Sequence, residues 1–162
     1  MAKKMRGFIL LVIIAILVTT GMIIFVERQS DDQSATEQEI VLLFDNWNQA
    51  LQAGDPHKVA VLYADRSLLL PTLSSKLRVT PKEKEEYFSH FLEKRPSARV
   101  DFRQIAIGAD MAVDSGLYTF NFAKTGELVK ARYSFTYKRD GKRWLIINHH
   151  SSLVPEGNNR SD

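Results

Sequence analysis

Apolar residues fall into two rhythms along this chain, one helical and then one of strands. From residue 37, Ile40, Leu43, Phe44, Trp47, Ala50 and Leu51 recur at the i, i+3, i+4, i+7 spacing of a helix with one buried stripe. Gly54 ends that helix where a left-handed residue is wanted. Asp55-Pro56 opens a second helix, with Asp as N-cap and Pro at its first position, and Val59, Ala60, Leu62 and Tyr63 as its apolar side. Residues 67–70 read as a short strand ended by Pro71, and 71–79 as a loop with a little extended structure. Thr80-Pro81-Lys82-Glu83 is a capping box that starts a third helix, running to about Lys94 and burying Tyr87, Phe88, Phe91 and Leu92. Beyond Pro96 only strands are predicted, over 100–107, 112–122, 128–138 and 143–150. Short connections, the last of them Asp140-Gly141, make these four an antiparallel meander. Three helices followed by an antiparallel sheet is an α+β arrangement. A twisted sheet wrapped over a long helix leaves a cone with a pocket at its open end.

The first 36 residues follow a different pattern. Residues 1–7 carry Lys3, Lys4 and Arg6, and residues 8–26 contain no charge. At about 1.5 Å per residue that run makes roughly 28 Å of helix, near the roughly 30 Å of a bilayer's hydrocarbon core. It is longer than the apolar region of a signal peptide, and no Ala-x-Ala site follows it. An uncleaved anchor is therefore expected, with secretion after cleavage as the alternative. The basic flank keeps the N-terminus cytoplasmic and puts the domain on the periplasmic or outer face of the inner membrane. Residues 27–36 read as a polar tether, 37–155 as the folded domain, and 156–162 as a disordered tail.

Charge and composition narrow the picture further. The 162 residues carry a net charge of +3, with acids and bases interleaved as in the run 81–86, so there is no basic stripe for nucleic acid. That run reads as a solvated face. The chain has no cysteine, which removes disulfides, thiolate metal sites and cysteine nucleophiles. No metal-ligand cluster, dinucleotide glycine motif or flavin signature is present, so no cofactor is expected.

The candidate chemistry lies on the last hairpin. Tyr133, Phe135 and Tyr137 share one strand face, while Arg132, Ser134 and Thr136 share the other. On the closing strand Leu145, Ile147, His149 and Ser151 alternate with Trp144, Ile146, Asn148 and His150. Neighbouring His149 and His150 point to opposite faces, so they cannot hold one metal between them. Parity with the Arg132 side favours His149 as the pocket residue and as the candidate acid or base. The alternative is a histidine bonded within a core or interface. Arg132 is placed to clamp a carboxylate, or else to pair with an acid such as Asp45 or Asp114. Trp47, Tyr63 and Tyr118 line the cavity or belong to plain core. His57 and His90 have no partners at ligand spacing.

Six segments carry a family resemblance: LFDNWNQALQAGD (43–55), AVLYAD (60–65), LLPTLS (69–74), SGLYTF (115–120), ARYSF (131–135) and WLIINHHSS (144–152). Together they resemble the bacterial SgcJ/EcaC-type branch of the nuclear transport factor 2-like (NTF2-like) superfamily. That branch is similar to the association (hub) domain of calcium/calmodulin-dependent protein kinase II. The resemblance spans residues 37–155 and implies a cone-shaped α+β fold that self-associates, as a homodimer or larger ring, through its sheet. It implies neither kinase activity nor calmodulin binding. The oxidoreductase label of the branch has no cofactor motif behind it here. In the hub the pocket is lined by arginines that receive small carboxylates, and the register on Arg139-Asp140-Gly141 puts Tyr118, Ser134 and Ser151 at those positions. The functional expectation is a self-associating module with a small carboxylate or apolar ligand in its cone. The alternative is an isomerase, cyclase or dehydratase using one acid/base residue.

Overall fold

A computed structural model of the protein describes residues 35–72 and 74–155. The expected anchor, most of the tether and the tail lie outside the described residues, among which no helix is long and apolar enough to cross a membrane. In chain order the elements are α1 (Glu37–Gln52), α2 (Pro56–Ala60), β1 (Tyr63–Leu70), α3 (Pro81–Leu92), β2 (Pro96–Ile107), β3 (Met111–Phe122), β4 (Glu127–Asp140) and β5 (Arg143–Leu153).

Local chemistry sets the helix ends. Thr36 and Glu39 close a capping box on α1, and Thr80 and Glu83 close one on α3. The Asp55 side chain accepts from the amides of His57 and Lys58 to start α2. That helix stops at Ala60, so Leu62 and Tyr63 are not on its apolar side as expected. Instead Tyr63 opens β1, which is twice as long as the strand predicted over 67–70. The run 81–86 is also not wholly solvated. Lys84 is buried, and its ammonium donates to the carbonyl of Val79 at 3.0 Å, tying α3 to the preceding loop.

The five strands form one mixed sheet in the order β1-β5-β4-β3-β2. The antiparallel meander over β2 to β5 is there, but β1 joins the free edge of β5 in parallel. This corrects the all-antiparallel expectation. A strand separated from the meander by α3 has no hairpin to dictate its direction, and it fills the edge that β5 leaves open. Both outer edges are partly covered. Leu69 of β1 exchanges backbone bonds with Arg78 at 2.9 and 3.1 Å. On β2, Asn48 of α1 donates to the carbonyl of Ala98 at 2.7 Å and accepts from its amide at 2.8 Å.

Two register shifts decide which side chains face the helices. Asp101 is an extra residue between Val100↔Tyr118 and Phe102↔Leu117, and Ile147 is extra between Tyr137↔Ile146 and Thr136↔Asn148. Beyond its shift, β2 passes so close to Gly116 that a Cβ there would sit 2.0 Å from the Phe102 carbonyl oxygen. The core lies between the inner sheet face and α1, whose Ile40, Phe44, Trp47 and Leu51 are buried against Tyr133, Phe135 and Tyr137.

Candidate functional site

On the inner face, each directly opposed pair of strand residues points the same way, and Phe135 lies opposite His149. His149, Ser151, Tyr133 and Phe135 therefore share the buried face, and Arg132, Ser134 and Thr136 share the outer one. Arg132 is exposed, opposite Leu117 and Ser152. Two expectations are overturned here. Arg132 and Ser134 do not reach the cavity, because each lies one residue out of phase with the aromatic side chains that do. Arg132 also pairs with neither Asp45 nor Asp114.

The cavity measures about 430 Å³, within the range usual for small-molecule sites. Its buried wall includes Trp47, Leu69, Phe88, Tyr118, Phe120 and His149, and Ser151 contributes a hydroxyl. Lys76, Arg78, Glu86, Lys94 and Glu127 stand at its more exposed mouth. Two of these are placed by turns rather than by strands or helices. Arg78 lies in the loop bridged to β1. Lys94 follows α3 where Arg95 takes a left-handed backbone (φ 53) and turns the chain into β2. Neither position announces itself in the sequence, since no periodicity governs a loop side chain.

Two hydrogen-bond chains define the polar groups at depth. Tyr118 donates to Ser151 at 2.5 Å, and Ser151 shares a hydrogen bond with Thr72. In the second chain the indole of Trp47, which can only donate, bonds the Tyr63 oxygen at 3.1 Å. The Tyr63 hydroxyl lies 2.8 Å from Nδ1 of His149, and since no other acceptor among the described residues takes its proton, that proton is assigned to Nδ1. An imidazole that accepts at Nδ1 carries its proton on Nε2. Burial, with a smaller contribution from His150, pushes the His149 pKa down to about 3, so the ring is neutral at physiological pH. Phe135 stacks on it with ring centroids 3.9 Å apart, and Trp47 meets it edge-on at 5.2 Å. Tyr63 is not part of the cavity wall, whereas His149 is, and Nε2 has no protein partner. The wall thus includes one uncharged imidazole, whose Nε2 is itself shielded from the cavity. Of the residues singled out from sequence, Trp47, Tyr118, His149 and Ser151 meet at the cavity, and Tyr63 stands behind them.

Towards the β2–β3 turn the same face carries a buried ion pair that the strand alternation alone did not reveal. Arg103 donates to Asp114 Oδ1 at 3.1 Å, and Tyr133 donates to the same oxygen at 2.9 Å. Asp114 is fully buried and Arg103 only 19% exposed, stacked 5.1 Å over Phe44. Burial raises the Asp114 pKa despite the opposing pull of Arg103. The Asp101 shift hides this pair in the sequence by bringing Arg103 into phase with the inner face. His57 and His90 are exposed on helices, facing Glu85 at 3.8 Å and Glu93 at 3.4 Å. Among the described residues no group of three metal-ligating side chains occurs.

The calcium/calmodulin dependent protein kinase II association domain matches residues 36–155. The chain belongs to that association-domain family. A solved structure from Xanthomonas campestris bearing the same association-domain description is 46% identical, with a TM-score of 0.72 over 76% of this chain and 91% of that one. An NTF2-like protein of Pseudomonas putida KT2440 is 17% identical (TM-score 0.66, covering 77% and 91%). An NTF2-like protein with a cystatin-like fold from Novosphingobium aromaticivorans is 10% identical (TM-score 0.64, covering 85% and 91%). These last two share the fold alone. No curated protein matches. As an association domain this chain has the α+β NTF2-like architecture, with a curved mixed sheet.

Proposed function

We propose that the protein is a self-associating association-domain module that binds a small ligand in its cone, tethered to the inner membrane and facing the periplasm or exterior. The observation that carries the ligand-binding reading is the aromatic-lined cavity of about 430 Å³, with the Tyr118 and Ser151 side chains in its wall. Self-association is supported by the family description and by the outer sheet face. There Phe102 is 57% exposed, Leu117 39% and Leu128 68%, with Phe102 and Leu117 directly opposed. The tether rests on the uncharged run 8–26 and its basic flank. Membership in the SgcJ/EcaC-type branch rests on the segments quoted above.

The enzyme alternative has less behind it. A histidine whose conjugate acid has a pKa of about 3 is a poor general base near neutrality. The carboxylates at the cavity, Glu86 and Glu127, stand at the exposed mouth and not beside the imidazole. The test is native mass spectrometry of freshly purified protein. The reading expects assemblies of two or more copies that release a bound small molecule on denaturation. Monomers with no releasable molecule contradict it.

A further inference from the structure

The geometry points to a ligand class for this cavity: a neutral aromatic molecule that presents a hydrogen-bond acceptor, such as an amide or ketone oxygen, to the hydroxyl groups of Thr72 and Ser151. The inference rests on the ligand-binding reading above, and it departs from the carboxylate that the family resemblance implies.

The acceptor follows from the hydroxyl protons. Tyr118, Ser151 and Thr72 each carry one, and the bonds that join the three side chains leave one proton over. Tyr118 donates to Ser151, so the spare proton sits on Ser151 or Thr72, whichever does not donate in the bond they share. Among the described residues no other acceptor takes it. Both side chains line the cavity, and Thr72 is only half-buried there. Neutrality follows from the charged groups. The buried part of the wall has none, since burial holds the Tyr118 pKa well above the usual phenol range and keeps His149 uncharged. At the mouth Lys76 faces Glu83 and Glu86 faces Lys82, each at 3.9 Å. The Arg78 guanidinium donates within its own loop, to the carbonyls of Lys76 and Leu77 and the hydroxyl of Ser74. Lys94, resting over the Phe122 ring at 5.3 Å, and Glu127 add one charge of each sign. A carboxylate held against the hydroxyls would lose its water without meeting a cation, and a cationic head without meeting a carboxylate. Both are costly, whereas a neutral acceptor carries no such penalty. Two positions where the resemblance expects arginines are Tyr118 and Ser151, so hydroxyls stand where cations would. The aromatic body follows from the wall between mouth and hydroxyls. Phe120 meets Phe91 at 5.5 Å, Phe122 at 5.7 Å and Tyr118 at 4.7 Å between ring centroids, a surface on which flat rings pack well.

The test is isothermal titration calorimetry on the full chain, near neutral pH, with three probes of one shape. They are 4-isopropylbenzamide, 4-isopropylbenzoate and 4-isopropylbenzamidine, whose planar heads are neutral, negative and positive. The amide is expected to bind about tenfold or more tighter than either charged analogue, because an unpaired charge costs far more to bury than a neutral head. Thr72→Val with Ser151→Ala should weaken the amide by about fivefold, a ratio typical of one neutral hydrogen bond. Because the probe series is read on the wild type, the main result does not depend on the variant folding. If the carboxylate or the amidine binds as tightly as the amide, this ligand class is wrong while the ligand-binding reading stands. The same holds if the double substitution melts like the wild type and binds the amide equally well. If none of the three binds, both fall.

Discussion

At the scale of single residues the protein turns on two buried polar groups that behave oppositely with pH. His149 is neutral in the fold, with its pKa lowered to about 3, while the unfolded chain protonates near 6.5. Between those values the unfolded state binds the extra proton. The stability associated with a neutral His149 is therefore complete above about pH 6.5 and is lost as pH falls towards 3. The loss approaches about 1.4 kcal/mol for each pH unit within that window. Asp114, raised by burial, works the other way in the carboxylate range, so the slope is best read between about pH 5 and 6.5. Urea unfolding of wild type should show stability falling over that interval, and His149→Phe should flatten the slope. A slope unchanged by the substitution would mean that the ring is already charged in the fold. Asp114→Ala leaves the Arg103 guanidinium without its partner, and a loss of about 3 kcal/mol is expected in the same assay.

At the scale of elements, what was legible in the sequence was local. The α1 stripe, the caps at Asp55 and Thr80, and the Asp140-Gly141 turn each depend on residues a few positions apart, and each is in place. The strand faces were less legible, because alternation carries only as far as the next bulge. Ile147 breaks the count on β5, so Ile146 shares a face with His149 rather than with His150. Arg132 was misplaced for a different reason. Which face of β4 turns inward is set by α1 packing on Tyr133 and Phe135, a contact distant in sequence. Two substitutions test these elements by thermal unfolding. Phe44→Ala removes the ring between α1 and β4 and should cost about 3–5 kcal/mol. Gly116→Ala places a methyl against the Phe102 carbonyl where β2 shifts register, and should cost about 2 kcal/mol or more. A neutral result for Gly116→Ala would show that the β2 shift is not held in place by that close approach.

At the scale of the whole molecule, the parallel β1–β5 pairing was the feature least accessible from sequence, since nothing local links two strands separated by the helix and meander between them. That pairing matters to the site because Leu69 sits opposite His149 and closes the cavity wall beside it. In the proposed function the outer face carries the assembly. Phe102→Asp with Leu117→Lys should convert an associated form to monomers in sedimentation velocity while leaving the single copy folded, since both side chains are exposed in it. Unchanged sedimentation would place the interface elsewhere. The central claim, a buried imidazole in the cavity wall that is neutral at physiological pH, is tested most directly by proton–nitrogen correlation spectra of the histidine rings between pH 5 and 8. The account predicts one histidine that stays uncharged throughout, with its proton on Nε2 and a bare, hydrogen-bonded Nδ1, and whose signals are lost in His149→Phe. An imidazolium appearing near pH 6 for that residue, or a proton on Nδ1, would contradict it.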